Sequence, residues 1–436
     1  MATRDETSSR ASPLWSRLRM VAVSSGFGTG GKLLQFAALA FLATQLIPAE
    51  YGRFSILQIL LFGMASIASS SFAFAANTRA ADIVSANPGV AFSTVLRAVA
   101  ADNRIFYAGI AVFGAMAFPA LYLVLSGGLL PTPSIAALGA TCSAIVITDT
   151  FIGVASGTGR VMTSACLDGV RGAGSAAALT ASALFLPAVW TSAGLVVVEI
   201  VLASVAILMM SRRSAARDAS RVVMPSGPVG VVRAGVAANA AAQLGTWALV
   251  WGVQMVGGLE AVGAFALANR FATLVLLAPA FLSKNMLGAL RRDRLTGTEQ
   301  KGNLLGFYVT IVSCGSVIGA GIAVGVGASF PMFRGTYVDF LDLLVVLAVA
   351  AILRAVATSL GVICVSRDLL KTWVLSDIAA LLVLLMAVGV ALVFSAGLVP
   401  LLSGLVASNS TALVWRAVGL RRTASAMSAE EVDRVV

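Results

Sequence analysis

Residues 378–394 read IAALLVLLMAVGVALVF, a stretch without a charged or hydrogen-bonding side chain. With the residues just before it, the stretch reaches the roughly 20 residues that a helix needs to cross a hydrocarbon core of about 30 Å. Its apolar residues are continuous rather than alternating, which favours a helix over a β-barrel strand. Along the whole chain, the sequence predicts twelve such spans: residues 20–46, 53–76, 105–125, 134–157, 162–187, 191–210, 234–257, 261–288, 304–328, 341–365, 372–394 and 398–418.

The overall composition agrees with a membrane protein. Of the 436 residues, 59% are hydrophobic and 11% are charged, and the mean hydropathy is +0.95. A soluble domain carries about 25% charged residues. Inside a bilayer, only helices and closed barrels satisfy all of their backbone hydrogen-bonding groups. The sequence therefore predicts an all-α integral membrane protein.

The positive charges predict the orientation of the chain. With the N-terminus placed inside, only Arg53 and Arg334 among the 30 Lys and Arg residues fall in outer loops. Such a bias is typical of cytoplasmic loops. We therefore expect a multi-pass protein with both termini in the cytoplasm. Its net charge of +11 is attributed to loops that face anionic lipid headgroups, so membrane lipids are expected partners and nucleic acid is not.

Several classes of site are disfavoured by what the sequence contains. The chain has no histidine, which removes His-based catalysis and His–metal sites. Its four cysteines fall in four different spans without a CxxC pair, which indicates packing residues. Residues 26–33, GFGTGGKL, are similar to a phosphate-binding loop, but Leu33 stands where a magnesium-binding hydroxyl is needed. We expect no cofactor, no metal and no enzymatic activity.

The chain divides into two similar halves. Gly52 and Phe54 end the first outer loop, and Gly263 and Phe265 follow at the same interval in the second half. Each half starts inside and has six spans, so the repeat is parallel and its two lobes are expected to surround a central cleft. The predicted divisions are an N-terminal cytoplasmic tail (1–19), an N-terminal lobe (20–210), a cytoplasmic linker (211–233), a C-terminal lobe (234–418) and a C-terminal cytoplasmic tail (419–436).

Cations inside the spans are the first candidate site. A charge at the bilayer centre costs roughly 2.5–3.5 kcal/mol, so such residues normally face a partner or a wet cavity. Lys32, Arg270 and Arg354 lie near the middles of three helices, where snorkelling is difficult. They are predicted to line the cleft as a cationic substrate-binding site. Lys284 lies nearer the cytoplasmic end of its helix and is expected to snorkel outward.

Acids inside the spans give a second candidate site. Asp168 and Arg171 lie three residues apart on one helical face, so a local ion pair is expected. Asp149 is the deepest acid without a nearby cation in the sequence. It is expected either to couple a proton or sodium ion or to pair with one of the deep cations. Asp149, Asp168 and Arg171 are therefore a secondary set for cleft lining or ion coupling.

Two segments resemble a known family. Residues 46–55, LIPAEYGRFS, resemble a segment near the first hairpin of bacterial polysaccharide-biosynthesis membrane proteins. These are the O-antigen and exopolysaccharide flippases of the multidrug/oligosaccharidyl-lipid/polysaccharide (MOP) exporter superfamily. Residues 258–271, GLEAVGAFALANRF, look like the matching signature of the second half.

The resemblance implies a flippase in the bacterial inner membrane. Such a protein moves an undecaprenyl-diphosphate-linked oligosaccharide to the outer leaflet by alternating access, with other polysaccharide-assembly proteins as partners. A cationic cleft suits that substrate, because guanidinium groups bind phosphate oxygens in pairs.

Alternatives remain open at the level of sequence. A cation-coupled small-molecule or drug exporter of the same superfamily has the same layout, although the deep cations disfavour cationic drugs. A membrane-embedded polysaccharide polymerase or ligase would be expected to need a larger outer loop than this chain offers. A scaffold without transport activity is the remaining alternative.

Overall fold

The computed structural model of the chain describes residues 13–102, 132–185, 198–205, 229–295, 303–337 and 339–433. All regular elements within these ranges are helices, which confirms the all-α prediction for them. In chain order they are α1 (Pro13–Gln45), α2 (Pro48–Ala86), α3 (Phe92–Asp102), α4 (Thr132–Gly157), α5 (Val161–Phe185), α6 (198–205), α7 (Val229–Leu295), α8 (Asn303–Ala328), α9 (Pro331–Thr336), α10 (Phe340–Ser366), α11 (Leu370–Val393) and α12 (Leu398–Asp433).

The described helices include many that can cross a membrane. Seven are long and apolar enough to do so, namely α2, α4, α7, α8, α10, α11 and α12. Helix α7 contains two predicted spans, which meet at Gly258 with φ 69° and ψ −165°. Only glycine adopts such a positive φ without strain, so Gly258 lets the chain change direction between the two spans. Residues 229–257 are called α7a and residues 259–295 are called α7b.

Several helices extend beyond the predicted spans. Helix α2 runs to Ala86, and α3 occupies part of the predicted inner loop 77–104. Helix α12 continues to Asp433, well past the predicted end at residue 418. Hydropathy marks where a helix leaves the apolar layer and not where its backbone stops, which accounts for these differences. The predicted span 105–125 lies outside the described residues, as does 191–210 apart from α6.

Helices α2 and α7b form a close interface between the two halves. A Cβ atom at Gly52 would collide with the backbone of Leu259, and a Cβ at Gly263 would collide with the backbone of Pro48. The two glycines that are matched in the sequence repeat therefore pack reciprocally, each against the first turn of the other helix. Such reciprocity is what two similar halves related by an approximate twofold axis would produce.

Aromatic contacts join the halves at the end predicted to be outer. The Phe271 ring of α7b meets the Phe36 ring of α1 edge-on, with centroids 4.9 Å apart, and also contacts Phe333 of α9. The Tyr337 hydroxyl donates a hydrogen bond of 2.8 Å to the Ala43 carbonyl of α1. Burial raises the pKa of the Tyr337 phenol, so it stays protonated and keeps this bond.

Charged contacts join the halves at the opposite end. Arg291 of α7b binds Asp82 of α2 at 3.0 Å and Asp368, in the turn between α10 and α11, at 2.6 Å. Arg294 binds the other Asp368 oxygen at 2.9 Å. Helices α2 and α7b are thus held together near both of their ends.

Candidate functional site

Five buried or half-buried charges form a set of ion pairs, four of them in the N-terminal half and one on α7b. It consists of Asp149, Asp168, Arg171, Glu199 and Lys284, and is called the N-terminal charge network. Arg171 of α5 binds Asp149 of α4 through Nη1 at 2.6 Å and Glu199 of α6 through Nε at 2.6 Å. Lys284 of α7b binds the Asp168 carboxylate of α5 at 3.1 Å. Four elements are therefore tied together by charge.

The network leaves one acceptor free. Glu199 is 2% exposed, and its Oε2 atom has no hydrogen-bond partner among the described residues. Lys32 lies within electrostatic range of Arg171 and Asp168, and its Nζ atom donates to Gln35 at 3.4 Å. With Lys32 included, three cations face three carboxylates, so the region is formally neutral. Neutrality reduces the cost of keeping these charges away from water.

The structure differs from three sequence-based expectations. Asp168 and Arg171 do not pair with each other, because partners on neighbouring helices lie closer to each of them. Lys284 pairs with Asp168 rather than only snorkelling outward, although 38% of its side chain remains exposed. Asp149 does find a cation, but the cation is Arg171 and not one of the three deep cations. In each case the partner comes from another helix, which sequence spacing alone does not reveal.

The C-terminal half contains a polar cavity of about 250 Å³, called the C-terminal cavity. Helices α7a, α10, α11 and α12 form most of its wall, and α2 contributes the rest. Its hydrogen-bonding side chains include Ser70, Asn239, Thr246, Arg354, Thr358, Asp377, Ser408, Asn409 and Arg416. Two guanidinium groups and one carboxylate line it, so the cavity has a net positive charge.

The two arginines of this cavity differ in their contacts. Arg416 binds Asp377 at 2.6 Å, Ser376 at 2.8 Å and the Ala357 carbonyl at 2.7 Å. Arg354 has no hydrogen bond or ion pair with any residue that the structure describes, although it lies within electrostatic range of Asp377. Arg416 is therefore fully engaged, whereas the Arg354 guanidinium is available to a ligand.

Arg416 is a buried cation that the predicted site does not include. It lies near the end of the predicted span 398–418, is only 5% exposed and lies inside the bundle. Asp377 on α11 supplies the charge that makes burial tolerable. Glu199 and Asp377 were likewise absent from the predicted site. An acid and a cation deep in different spans were the available signal, but the sequence does not say which helices are neighbours.

An apolar groove adjoins the C-terminal cavity. It has a volume of about 570 Å³ and lies between α2, α7a and α11, with Trp247, Trp251 and Leu385 among its lining residues. Leu381 lines both the groove and the cavity. Ligand sites usually combine a largely apolar surface with a few placed polar groups, and this pair of spaces has that character.

The three deep cations of the predicted cleft occupy three different environments. Lys32 lies beside the N-terminal charge network, and Arg354 lines the C-terminal cavity. Arg270 does not line that cavity; it donates a hydrogen bond to Gln58 Oε1 at the α2–α7b interface. The structure does not bring these side chains into contact with one another. Their joint role in substrate binding stays a prediction.

Solved structures match almost the whole chain. One is a MOP superfamily transporter from Pyrococcus furiosus, described as having a binding pocket of reverse polarity that suggests a different function; it shares 13% identity, with a TM-score of 0.71. Another is the outward-facing form of a multidrug resistance MATE family transporter of the MOP superfamily, with 14% identity and a TM-score of 0.72. A third is MATE in the straight conformation, with 16% identity and a TM-score of 0.69. Each alignment covers 94% of this chain and 96% of the other chain.

The chain therefore has the fold of the MOP superfamily transporters. At these identities the comparison establishes the fold, which agrees with the multi-helix membrane protein predicted from the sequence. No protein-family model and no curated protein matches the chain by sequence.

Proposed function

We propose that the protein is a cation-coupled exporter of small molecules that works by alternating access. The MOP fold over nearly the full length of the chain supports an exporter, since the matched structures include multidrug transporters. It favours a small-molecule exporter over the flippase implied by the short sequence motifs. An exporter also needs a binding site inside the bundle, and the C-terminal cavity is the candidate for it.

The Arg354 guanidinium, which forms no hydrogen bond or ion pair with any described residue, carries the proposal for the cargo. A buried charge without a partner is costly, so a guanidinium that faces a cavity favours a ligand with an acidic group. Thr358 also lines the cavity and adds a hydroxyl for hydrogen bonding. A purely cationic drug would meet a net positive wall. We therefore expect an organic anion, or a zwitterion with an exposed carboxylate or phosphate.

The N-terminal charge network is the proposed coupling site. A cation that binds there, or a proton that neutralises a carboxylate, would weaken the hold of Asp149 and Glu199 on Arg171. Lys284 belongs to α7b, whereas its partner Asp168 belongs to α5, so the network connects the two halves. A change in its charge can thus alter how the halves pack, which is what alternating access requires.

Reconstituted liposomes test the cargo. Uptake of the organic anion carboxyfluorescein and of the organic cation ethidium would be measured with the wild type, Arg354→Gln and Arg53→Gln. Arg53 is exposed on α2 and is the matched arginine control. We expect anion uptake by the wild type and by Arg53→Gln, and a loss of tenfold or more in Arg354→Gln. Selective uptake of ethidium would contradict the proposed cargo.

The same liposomes test the coupling. An imposed proton or sodium gradient should accelerate wild-type uptake, and Asp149→Asn should remove the gradient dependence. Uptake by the wild type that ignores both gradients would refute cation coupling.

A second candidate function is the lipid-linked oligosaccharide flippase that the sequence motifs imply. The apolar groove beside the C-terminal cavity favours it, because a prenyl tail could lie in the groove while a diphosphate meets Arg354. In such a flippase, Arg354 would bind the diphosphate without the other two deep cations, Lys32 and Arg270. Translocation of a fluorescent lipid-linked oligosaccharide in liposomes, with no carboxyfluorescein uptake, would favour this function over the exporter.

A further inference from the structure

The α2–α7b interface contains a cluster of buried polar atoms that the proposed function does not use. Tyr51, Ser55 and Gln58 lie at helical spacing on one face of α2, and each is at most 1% exposed. The Ser55 hydroxyl and the Gln58 amide nitrogen have no hydrogen-bond partner among the described residues. The Tyr51 hydroxyl meets only the Arg270 guanidinium there, which cannot accept its proton. Buried polar groups are nearly always satisfied, so three on one face require an explanation.

The chemistry of these atoms points to an acceptor. The Gln58 amide nitrogen can only donate, and the two hydroxyls each carry a proton to donate. Gln58 Oε1 is already used, since it accepts a hydrogen bond from Arg270 of α7b. The Tyr51 hydroxyl also lies beside the Arg270 guanidinium. The cluster is therefore rich in donors and lacks a group to receive them.

The charge of the cluster points to an anion. No described carboxylate forms an ion pair with Arg270. Its positive charge therefore has no counterion among the residues that the structure describes. A buried charge without a counterion is costly. A water molecule would accept hydrogen bonds but would not neutralise the guanidinium. An anion would do both.

The packing limits the size of the anion. Gly52, one residue from Tyr51 and three from Ser55, lies against the backbone of Leu259, and Gly263 lies against that of Pro48. Two helices in such close contact exclude a bulky organic group from between their side chains. We propose that Tyr51, Ser55, Gln58 and Arg270 bind one small monovalent anion, such as chloride, between α2 and α7b.

This anion site is separate from the proposed cargo site. Arg270, Tyr51, Ser55 and Gln58 do not line the C-terminal cavity. The bound ion would stabilise the contact between the two halves near the end predicted to be outer. Binding of the ion does not require transport, so the site can be tested independently of the exporter function.

The test is the chloride dependence of thermal unfolding in a neutral detergent. Sodium chloride would replace sodium gluconate at constant ionic strength, and sodium bromide would serve as a second halide. A ligand that binds only the folded state raises the unfolding midpoint in a saturable way. We expect saturation in the wild type and in the exposed-arginine control Arg53→Gln, and no saturable rise in Arg270→Gln.

A serine pair keeps the test decisive if Arg270→Gln fails to fold. Ser55→Ala removes one donor, and we expect it to raise the half-saturating chloride concentration about tenfold. Ser66→Ala on the same helix is the matched control, because the Ser66 hydroxyl already donates to the Gly63 carbonyl at 2.9 Å. It should leave chloride binding unchanged.

Two results would overturn the site. One is the absence of a saturable halide effect in the wild type; the other is an equal effect in the wild type, Ser55→Ala and Arg270→Gln. Either result would mean that water alone satisfies the cluster. Failure of liposome transport with an intact chloride effect would refute the exporter and leave the anion site standing.

Discussion

The two halves of the protein hold their buried charges in different ways. In the N-terminal charge network, Arg171 is clamped between Asp149 and Glu199, and both of its contacts are 2.6 Å long. In the C-terminal cavity, Arg416 is clamped in the same manner by Asp377, but Arg354 beside it has no partner in the described structure. The comparison separates charges that hold helices together from a charge that is free to meet a ligand.

Glycines on different helices also have different neighbours. In the N-terminal half, a Cβ on Gly31 of α1 would collide with the backbone of Gly169 of α5. In the C-terminal half, Gly315 and Gly321 of α8 have open space where a Cβ would stand. The same helices also contain the opposite case: Gly30 of α1 has open space, and a Cβ on Gly327 of α8 would collide with the Leu344 side chain. Close packing therefore depends on which side of each helix faces a described neighbour.

The strongest test of the comparison removes the cation of the N-terminal charge network. Arg171→Met leaves Asp149 and Glu199 without their partner, and breaking a buried ion pair costs about 3–5 kcal/mol. We expect the free energy of unfolding, measured in mixed detergent micelles, to fall by an amount near the upper end of that range. Adding Asp149→Asn and Glu199→Gln to the same variant should recover much of the loss. A change below about 1 kcal/mol for Arg171→Met would show that the network does not stabilise the fold.

The two arginines of the C-terminal cavity offer a matched pair. Arg416→Met should lower the free energy of unfolding by about 3 kcal/mol, because it leaves the buried Asp377 without its ion-pair partner. Arg354→Met should change it by less than about 1 kcal/mol, because no described hydrogen bond or ion pair is lost. Equilibrium unfolding of both variants under identical conditions measures the difference. Equal losses would contradict the division between a clamped and a free guanidinium.

Much of the fold could be predicted from the sequence, for a clear physical reason. The free energy of moving apolar side chains out of water determines where a membrane helix forms. Apolar stretches such as 378–394 therefore predict the helices that contain them. The glycines of the repeat, Gly52 and Gly263, pack at one interface, which the repeat alone did not predict. Helix ends were less predictable. Helix α12 continues to Asp433, and hydropathy does not indicate where a helix ends once it has left the apolar layer.

The candidate site was less predictable than the fold. Depth within the predicted spans singled out Asp149 and Arg354 in the sequence. Their partners depend on which helices are neighbours, and the spacing of residues along a single sequence does not contain that information. The Arg171–Glu199 pair joins α5 to α6, and the Arg416–Asp377 pair joins α12 to α11. Neither pair has a local signature, so both had to come from the structure.

A pair of glycine variants tests the difference in helix packing between α1 and α8. Gly31→Ala places a Cβ against the Gly169 backbone, and overpacking of this kind costs about 1–3 kcal/mol. Gly315→Ala in α8 meets open space and removes a helix-disfavouring residue, so we expect no loss and a gain of up to about 1 kcal/mol. Unfolding of the two variants in the same micelles measures both effects. A loss in Gly315→Ala equal to that in Gly31→Ala would mean that α8 packs against a surface outside the described residues.

The smallest expected effect concerns the contact that joins the halves at the end predicted to be outer. Tyr337→Phe keeps the ring among its aromatic neighbours but deletes the 2.8 Å hydrogen bond to the Ala43 carbonyl. A single neutral hydrogen bond contributes about 1 kcal/mol, so we expect a loss of that size in the free energy of unfolding. If alternating access separates α1 from α9 and α10 at this end, the same deletion favours the outward-open form. Labelling of a cysteine introduced at Ala43 should then be faster in Tyr337→Phe than in the parent, whereas unchanged labelling would show that this bond does not hold the outer end closed.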